Sequence, residues 1–284
     1  MAESSNFDEL LTEARRHPIR GWDFSWLDEG GRFQQEPLPW DYSELVKRRT
    51  RRSRDFLDLG TGGGELLASL GPHPPRTLAT ESYGPNVRVA ARRLAPLGIQ
   101  VIHTWAAVDN NLQQISDPRG ALPFRDGSFH LVVDRNEAFV AGEVARVLAP
   151  GGVFLTEQSG SAEIPEFYRL FAMEPPVSQG PAWNLTLARE QLVAAGLKPL
   201  RSGEANFSMS FRDVGALAWY LTAIPWVLPG FSVVRYRSRL ERLHSLTMER
   251  GPIRIPRYAF WLEGRKLRAN EPGRTGPRGF NRKS

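Results

Sequence analysis

The chain has 284 residues, of which 41% are hydrophobic and 24% charged, so it is long enough and apolar enough to bury a substantial core, and wholesale disorder is excluded. It contains no cysteine, which excludes disulfides, thiolate metal sites, iron–sulfur clusters and thiol nucleophiles. The formal charge of +6 is local, because removing the seven basic groups and one acid of residues 265 to 284 from totals of 37 and 31 leaves thirty of each, which excludes a uniformly basic surface.

Met1 to Leu11 is polar and acidic with no apolar targeting segment, and no apolar run is long enough to span a bilayer, so the chain reads as cytoplasmic with no membrane partner. Residues 1–45 read as a helical cap. Lys47 to Arg54 holds six basic groups in eight positions, and such a run reads first as an exposed helix end rather than a phosphate-tracking surface.

From Asp55 onward short apolar runs alternate with helical patterns, the signature of a largely parallel sheet built from β-α-β units. Phe56 to Leu59 reads as a strand that ends in a glycine loop, Glu65 to Leu70 as a helix, and Thr77 to Thr80 as a second strand leading into Glu81. Asn86 to Leu97 has one apolar face, Val87, Ala90, Ala91 and Leu94, and Gln100 to Trp105 supplies a third strand. Residues 106–120 form an irregular loop. His130 to Val133 is the fourth strand, Glu143 to Leu148 a short helix stopped by Pro150-Gly151-Gly152, and Val153 to Glu157 the fifth strand.

A helix over Thr186 to Ala195 ends at Gly196, and strands six and seven lie near Ser202 to Ser208 and Arg257 to Leu262. The long interruption between these two strands, 212–250, carries Trp219, Tyr220 and Trp226 and a further helical pattern, Val234 to Leu246. With residues 1–45 it reads as a lid over the carboxyl edge of the sheet, or equally as an extension of the core. Residues 46–265 then form the central domain and 266–284 a basic tail whose Gly, Pro and Arg content predicts disorder.

The loop Asp58-Leu59-Gly60-Thr61-Gly62-Gly63-Gly64 is the most informative segment. Glycines between a strand and a helix bring backbone N–H groups close to a ligand. Their spacing is Gly-x-Gly-x-Gly, and the sixth position from Gly60 is Glu65, which disfavours a nicotinamide dinucleotide fingerprint. Glu81, 17 positions after Gly64, stands where an acid can accept both hydroxyls of a ribose.

Asp58 to Glu65, Thr80-Glu81-Ser82, Leu122 to Val133 and Glu143 to Gly152 resemble the successive motifs of class I S-adenosylmethionine (SAM) dependent methyltransferases, nearest to the small-molecule type that includes quinone-biosynthesis C-methyltransferases. The resemblance covers roughly residues 50–200. It implies a Rossmann-like α/β fold whose seven-stranded sheet has its last strand antiparallel and helices on both faces, with SAM as cofactor. The glycines Gly60, Gly62 and Gly64 would lie under its methionine portion and Glu81 on its ribose, with Asp58 and Thr61 also assigned to cofactor binding. The family's acid near the adenine has two candidates here, Asp109 and Asp117, because a long loop precedes Leu122. His130 stands where the family commonly has Asp.

Methyl transfer needs alignment in a dry site more than it needs a base. Asp134, Arg135, Asn136 and Glu137 end strand four, and Glu157 and Gln158 end strand five, the edge where reacting groups gather. Glu137 is the first choice for substrate contact or base, unless it pairs with Arg135 or Arg146, and Asn136 is expected near the transferred methyl. The lone histidines show no metal spacing, and no metal is expected. The expected acceptor is an O, N or C atom of a small-molecule metabolite. The alternatives are an RNA methyltransferase, disfavoured but left open, and a non-catalytic SAM-binding protein. The sequence leaves the oligomeric state open.

Overall fold

The structure, a computed structural model, describes residues 2–19, 23–107, 110, 120–161, 164–175, 182–268 and 271. Its strands are β1 (Phe33–Gln35), β2 (Asp55–Leu59), β3 (Arg76–Glu81), β4 (Gln100–His103), β5 (Phe129–Arg135), β6 (Leu148–Ser159), β7 (Leu197–Phe211) and β8 (Ile253–Lys266). They form one sheet in the order β1-β7-β8-β6-β5-β2-β3-β4. From β4 to β6 the pairs are parallel, and β8 runs antiparallel between β6 and β7. β2 is buried at all five positions, and β5 and β6 are nearly so, because helices cover both faces; their sequences are therefore apolar runs rather than alternations.

One face carries α3 (Tyr42–Thr50), α4 (Glu65–Ser69) and α5 (Gly84–Leu94), whose Leu45, Val46, Leu67, Ala90 and Leu94 pack on Phe56, Leu131 and Leu155. The other carries α6 (Ala141–Val147) and α8 (Leu185–Ala194), whose Val144, Val147, Ala188 and Leu192 meet Leu57, Val132, Phe154 and Phe260. The N-caps are local: Asp41 accepts from the Glu44 amide at 3.1 Å and Asn184 from the Leu187 amide at 3.0 Å.

The expected seven strands are joined by an eighth, β1, from the segment read as purely helical cap. It pairs antiparallel with the end of β7, Phe33 opposite Phe211 with ring centroids 5.4 Å apart. The boundary expected after residue 45 falls inside α3. Strands six and seven are also longer than their apolar centres suggested. β7 and β8 pair from Leu197↔Lys266 to Phe211↔Ile253, while β6 ends opposite Ala259. Residues 253–258 and their β7 partners thus run on past the carboxyl edge of the parallel strands.

This outgrowth carries the interruption at residues 212–250. α9 (Val214–Ala223) leaves the end of β7, N-capped by Asp213 with a bond from the Ala216 amide of 2.9 Å, and α10 (Arg237–Arg250) leads into β8. Both join α1 (Ala2–Arg16), α2 (Ser25–Asp28) and α7 (Ile164–Leu170), a helix not read from the sequence, in a third apolar cluster that includes Phe7, Leu11, Trp26, Phe167, Leu217 and Leu240. Trp219 and Tyr220 belong to this core. The Trp219 indole donates to the His17 carbonyl at 3.0 Å, and the Tyr220 ring stacks near Phe33 and Phe167. These two residues extend the core rather than wall a pocket.

The α1–α9 crossing is close because position 215 has no side chain: a Cβ on Gly215 would lie 2.6 Å from the Leu10 carbonyl oxygen. Gly215→Ala tests this contact. Helix propensity alone favours alanine by about 0.5–1 kcal/mol, whereas overpacking costs about 1–3 kcal/mol. The expected outcome is a lower calorimetric melting temperature, and a rise would show that α1 does not sit against α9.

Candidate functional site

β2, β3 and β5 end side by side at the switch in strand order, where open α/β sheets leave a crevice. The loop after β2 is tied to β3 by three bonds: the Thr61 amide donates to the Thr80 carbonyl at 2.9 Å, the Gly60 amide to Thr80 Oγ1 at 3.4 Å, and the Gly62 amide to Glu81 Oε2 at 2.7 Å. Gly60 and Gly62 both adopt left-handed φ, 62° and 61°, which glycine alone takes without strain. The other Glu81 oxygen accepts from the Tyr83 amide at 2.7 Å. The acid is 4% exposed and locked between two strand ends.

The turn after β5 supplies the third wall. Asn136 has φ of 59°, its amide donates to the Glu157 carbonyl at 2.9 Å, and its Oδ1 accepts from the Ser159 amide at 2.8 Å. Its side-chain oxygen is thus tied to the end of β6, which helps shape the turn. That turn lays Glu137 back across Gly60, so closely that a Cβ on Gly60 would come within 2.4 Å of Glu137 Oε2. Ser82 Oγ donates to Glu137 Oε1 at 3.4 Å. Neither arginine weighed as a partner takes Glu137: Arg135 Nε binds Glu157 at 2.8 Å, and Arg146 binds Glu143 and Asp126.

Beneath this turn Asp134 is fully buried, with Oδ1 accepting from Thr156 Oγ1 at 3.1 Å and Gln158 Nε2 at 2.5 Å. The segment leading into α3 crosses the same edge: Trp40 Nε1 donates to Glu157 Oε2 at 2.6 Å and the Tyr42 hydroxyl to the Asp134 carbonyl at 2.8 Å. Glu157 is therefore a structural partner of Arg135 and Trp40.

Charge is unbalanced in the crevice. Burial pushes the Asp58 carboxyl up to about 7, and Glu81 adds to the rise. Burial likewise raises Glu137 to about 7, again with Glu81 contributing, and lifts Glu81 itself against the pull of its backbone N–H bonds. Asp134 is driven well above the carboxylate range by burial and then by Glu137. Among the described residues none of these four acids has a lysine or arginine partner. A shallow open cleft adjoins them, lined by Gly60, Ser82, Thr104, Trp105 and Glu137, with Trp105 74% exposed.

The remaining motif residues build the frame. Glu143 Oε2 accepts from the Leu122 amide at 2.8 Å, and Arg146 donates to the Leu122 and Phe124 carbonyls at 2.8 and 2.7 Å, so the α6 pair holds the turn of the Leu-Pro-Phe element. His130 Nδ1 lies 3.0 Å from Asp55 Oδ2 at the opposite edge, and His103 Nε2 lies 3.2 Å from the Ser82 carbonyl. Asp109 and Asp117 lie outside the described residues, as does most of the basic tail. Among the described residues no cluster of histidine and acidic groups could hold a metal ion, and no helix is long and apolar enough to cross a membrane.

No protein-family model matches the chain, and no curated protein does. Solved structures do. A candidate methyltransferase of Bacillus halodurans C-125 superposes with a TM-score of 0.54 at 14% identity, over 80% of this chain and 99% of that one. The YcgJ protein of Bacillus subtilis superposes with a TM-score of 0.51 at 18% identity, over 79% and 97% of the two chains. The likeness is one of fold: this chain has the Rossmann-like α/β architecture of class I methyltransferases.

The acidic crevice makes a sign-definite prediction. A carboxyl whose pKa is raised in the folded chain binds its proton more tightly there than in the unfolded chain, so stability is lost as pH rises from the ordinary carboxylate range through about 7. Glu137→Gln removes that loss. At pH 8 and without ligand the variant should melt higher than wild type, by about 2–4 °C for each kcal/mol relieved. At pH 5, where Glu137 is already protonated, the two should coincide; a lower midpoint at pH 8 would show that the charge is compensated.

Proposed function

We propose that the chain is a SAM-dependent methyltransferase that methylates an O, N or C atom of a small-molecule metabolite. The observation that carries this reading is the set of buried acids Asp58, Glu81 and Glu137 around the glycine loop, with no lysine or arginine partner among the described residues. SAM fits such a site: it brings a sulfonium and an ammonium to the carboxylates and a ribose diol to Glu81. When bound it supplies an electrophilic methyl on a good leaving group. Asp58, Gly60, Thr61, Gly62, Gly64 and Glu81 are the residues assigned to hold it.

Glu137 is assigned to the acceptor. Its Oε2 lies against Gly60, and its pKa near 7 lets the ionised form take a proton from an acceptor O–H or N–H at neutral pH. Asp58 and Asp134 stay beneath the loop and turn and are not assigned a proton transfer. The largely apolar lining of the cleft beside Glu137, with Leu59, Leu122, Phe139, Val140 and Val144, supports a small acceptor held away from water.

Calorimetric titration with SAM is the direct test, with NADH as the contrasting ligand. Micromolar SAM affinity is expected, weakened about 10- to 100-fold by Glu81→Ala through loss of hydrogen bonds to a charged acceptor. A cation held by a carboxyl with a pKa of about 7 should bind about tenfold more weakly at pH 6 than at pH 8. Well-folded protein that ignores SAM at pH 8 would remove the proposal.

A further inference from the structure

At the other end of α3 the chemistry reverses. Arg48, Arg49, Arg51 and Arg52, from the last turn of α3 and the residues after it, face Arg201 of β7 across an open hollow that arginine alone lines. The hollow is built on a buried acid. Glu263 of β8, 1% exposed, accepts from Arg201 Nη2 at 2.7 Å and Nε at 3.2 Å and also pairs with Arg49, which fixes two guanidinium groups from different elements. One carboxylate cannot balance five cations. Arg48, Arg51, Arg52 and the adjacent Arg54 are exposed and have no side-chain partner among the described residues. Crowding is felt inside the cluster, since the Arg49 pKa is lowered by burial and then by Arg201 and Arg52.

We propose that this arginine hollow docks the phosphodiester backbone of a nucleic acid, with Glu263 positioning Arg49 and Arg201. Three features favour a polyanionic strand over a single small anion. No serine, threonine or tyrosine is among the residues lining the hollow, whereas compact anion sites commonly add hydroxyl donors to their cations. The unpaired guanidiniums continue past it along the chain to Arg54, giving a row of forks suited to successive phosphates. β8 also delivers the chain to this same edge three residues after Glu263, at Lys266, beyond which the sequence carries five basic groups and one acid in residues 267–284.

The site goes beyond the methyl-transfer reading and does not rest on it. α3 has nine residues, so at about 1.5 Å per residue the hollow lies roughly 13 Å along the helix from the Tyr42 end at the crevice. A variant of the hollow should therefore leave SAM binding unchanged.

The test is anisotropy titration of a short fluorescein-labelled RNA with the full chain over a range of salt. Arg48→Gln, Arg51→Gln and Arg52→Gln combined should weaken binding at least tenfold. They should also flatten the log–log salt slope by about two, the release expected from three phosphate contacts on a single strand. A second variant neutralises the tail alone, with Arg274→Gln, Arg278→Gln, Arg282→Gln and Lys283→Gln, and should retain binding that the triple variant loses.

Three results overturn the proposal: no RNA binding at low salt, a triple variant that binds like wild type while the tail variant does not, or stabilisation by inorganic pyrophosphate with no RNA binding. Loss of SAM affinity in the triple variant, with unchanged circular dichroism, would instead show that the two edges are not separate.

Discussion

The bond from the Gly62 amide to Glu81 is the contact on which the crevice depends. It fixes the end of β3 to the loop after β2, and it uses an acid that burial would otherwise drive toward protonation. With the loop held in left-handed turns, Gly60 presents a bare backbone to the neighbouring strand end, and Glu137 fills that space. Replacing the glycine with any larger residue would displace Glu137, so the spacing of the glycines and the placement of the acid are one constraint.

The same sheet also explains where the cap sits. β7 and β8 are partners along their whole length, but β6 stops opposite Ala259, so the last part of the pair has no neighbour on that side within the parallel layer. Such an outgrowth must cover its apolar positions. Met209, Phe211, Ile253 and Ile255 do so against α9, α10 and α1, and β1 closes the outer edge of β7. The N-terminal segment and the interruption at 212–250 are thus joined by one core although some two hundred residues separate them in sequence.

What could be read from the sequence follows the range of the interactions. The glycine loop, Glu81 and the five parallel strands rest on local patterns; the structure has the five strands and puts Glu81 at the end of β3, bonded to the loop. β1 is three residues long with two glutamines, and only its pairing with Phe211 makes it a strand. The contact between Glu137 and Gly60 depends on a left-handed Asn136, a conformation that the residue tolerates but does not announce. The basic run at 47–54 was legible as a helix end, yet Arg201 and Glu263, which complete it, come from strands about 150 and 210 residues later and carry no motif.

The two edges of the sheet carry opposite excess charge. Acids with no lysine or arginine partner among the described residues collect at the carboxyl ends of β2, β3 and β5, and guanidiniums with a single buried acid collect where α3 ends and β7 begins. At physiological ionic strength exposed charges are screened over about 8 Å, less than the roughly 13 Å length of α3. Each edge therefore keeps its own electrostatic demand. The buried acids, poorly screened, favour a small cation held in the crevice, whereas the arginines, open to solvent, are satisfied by an extended anion that displaces its own counterions.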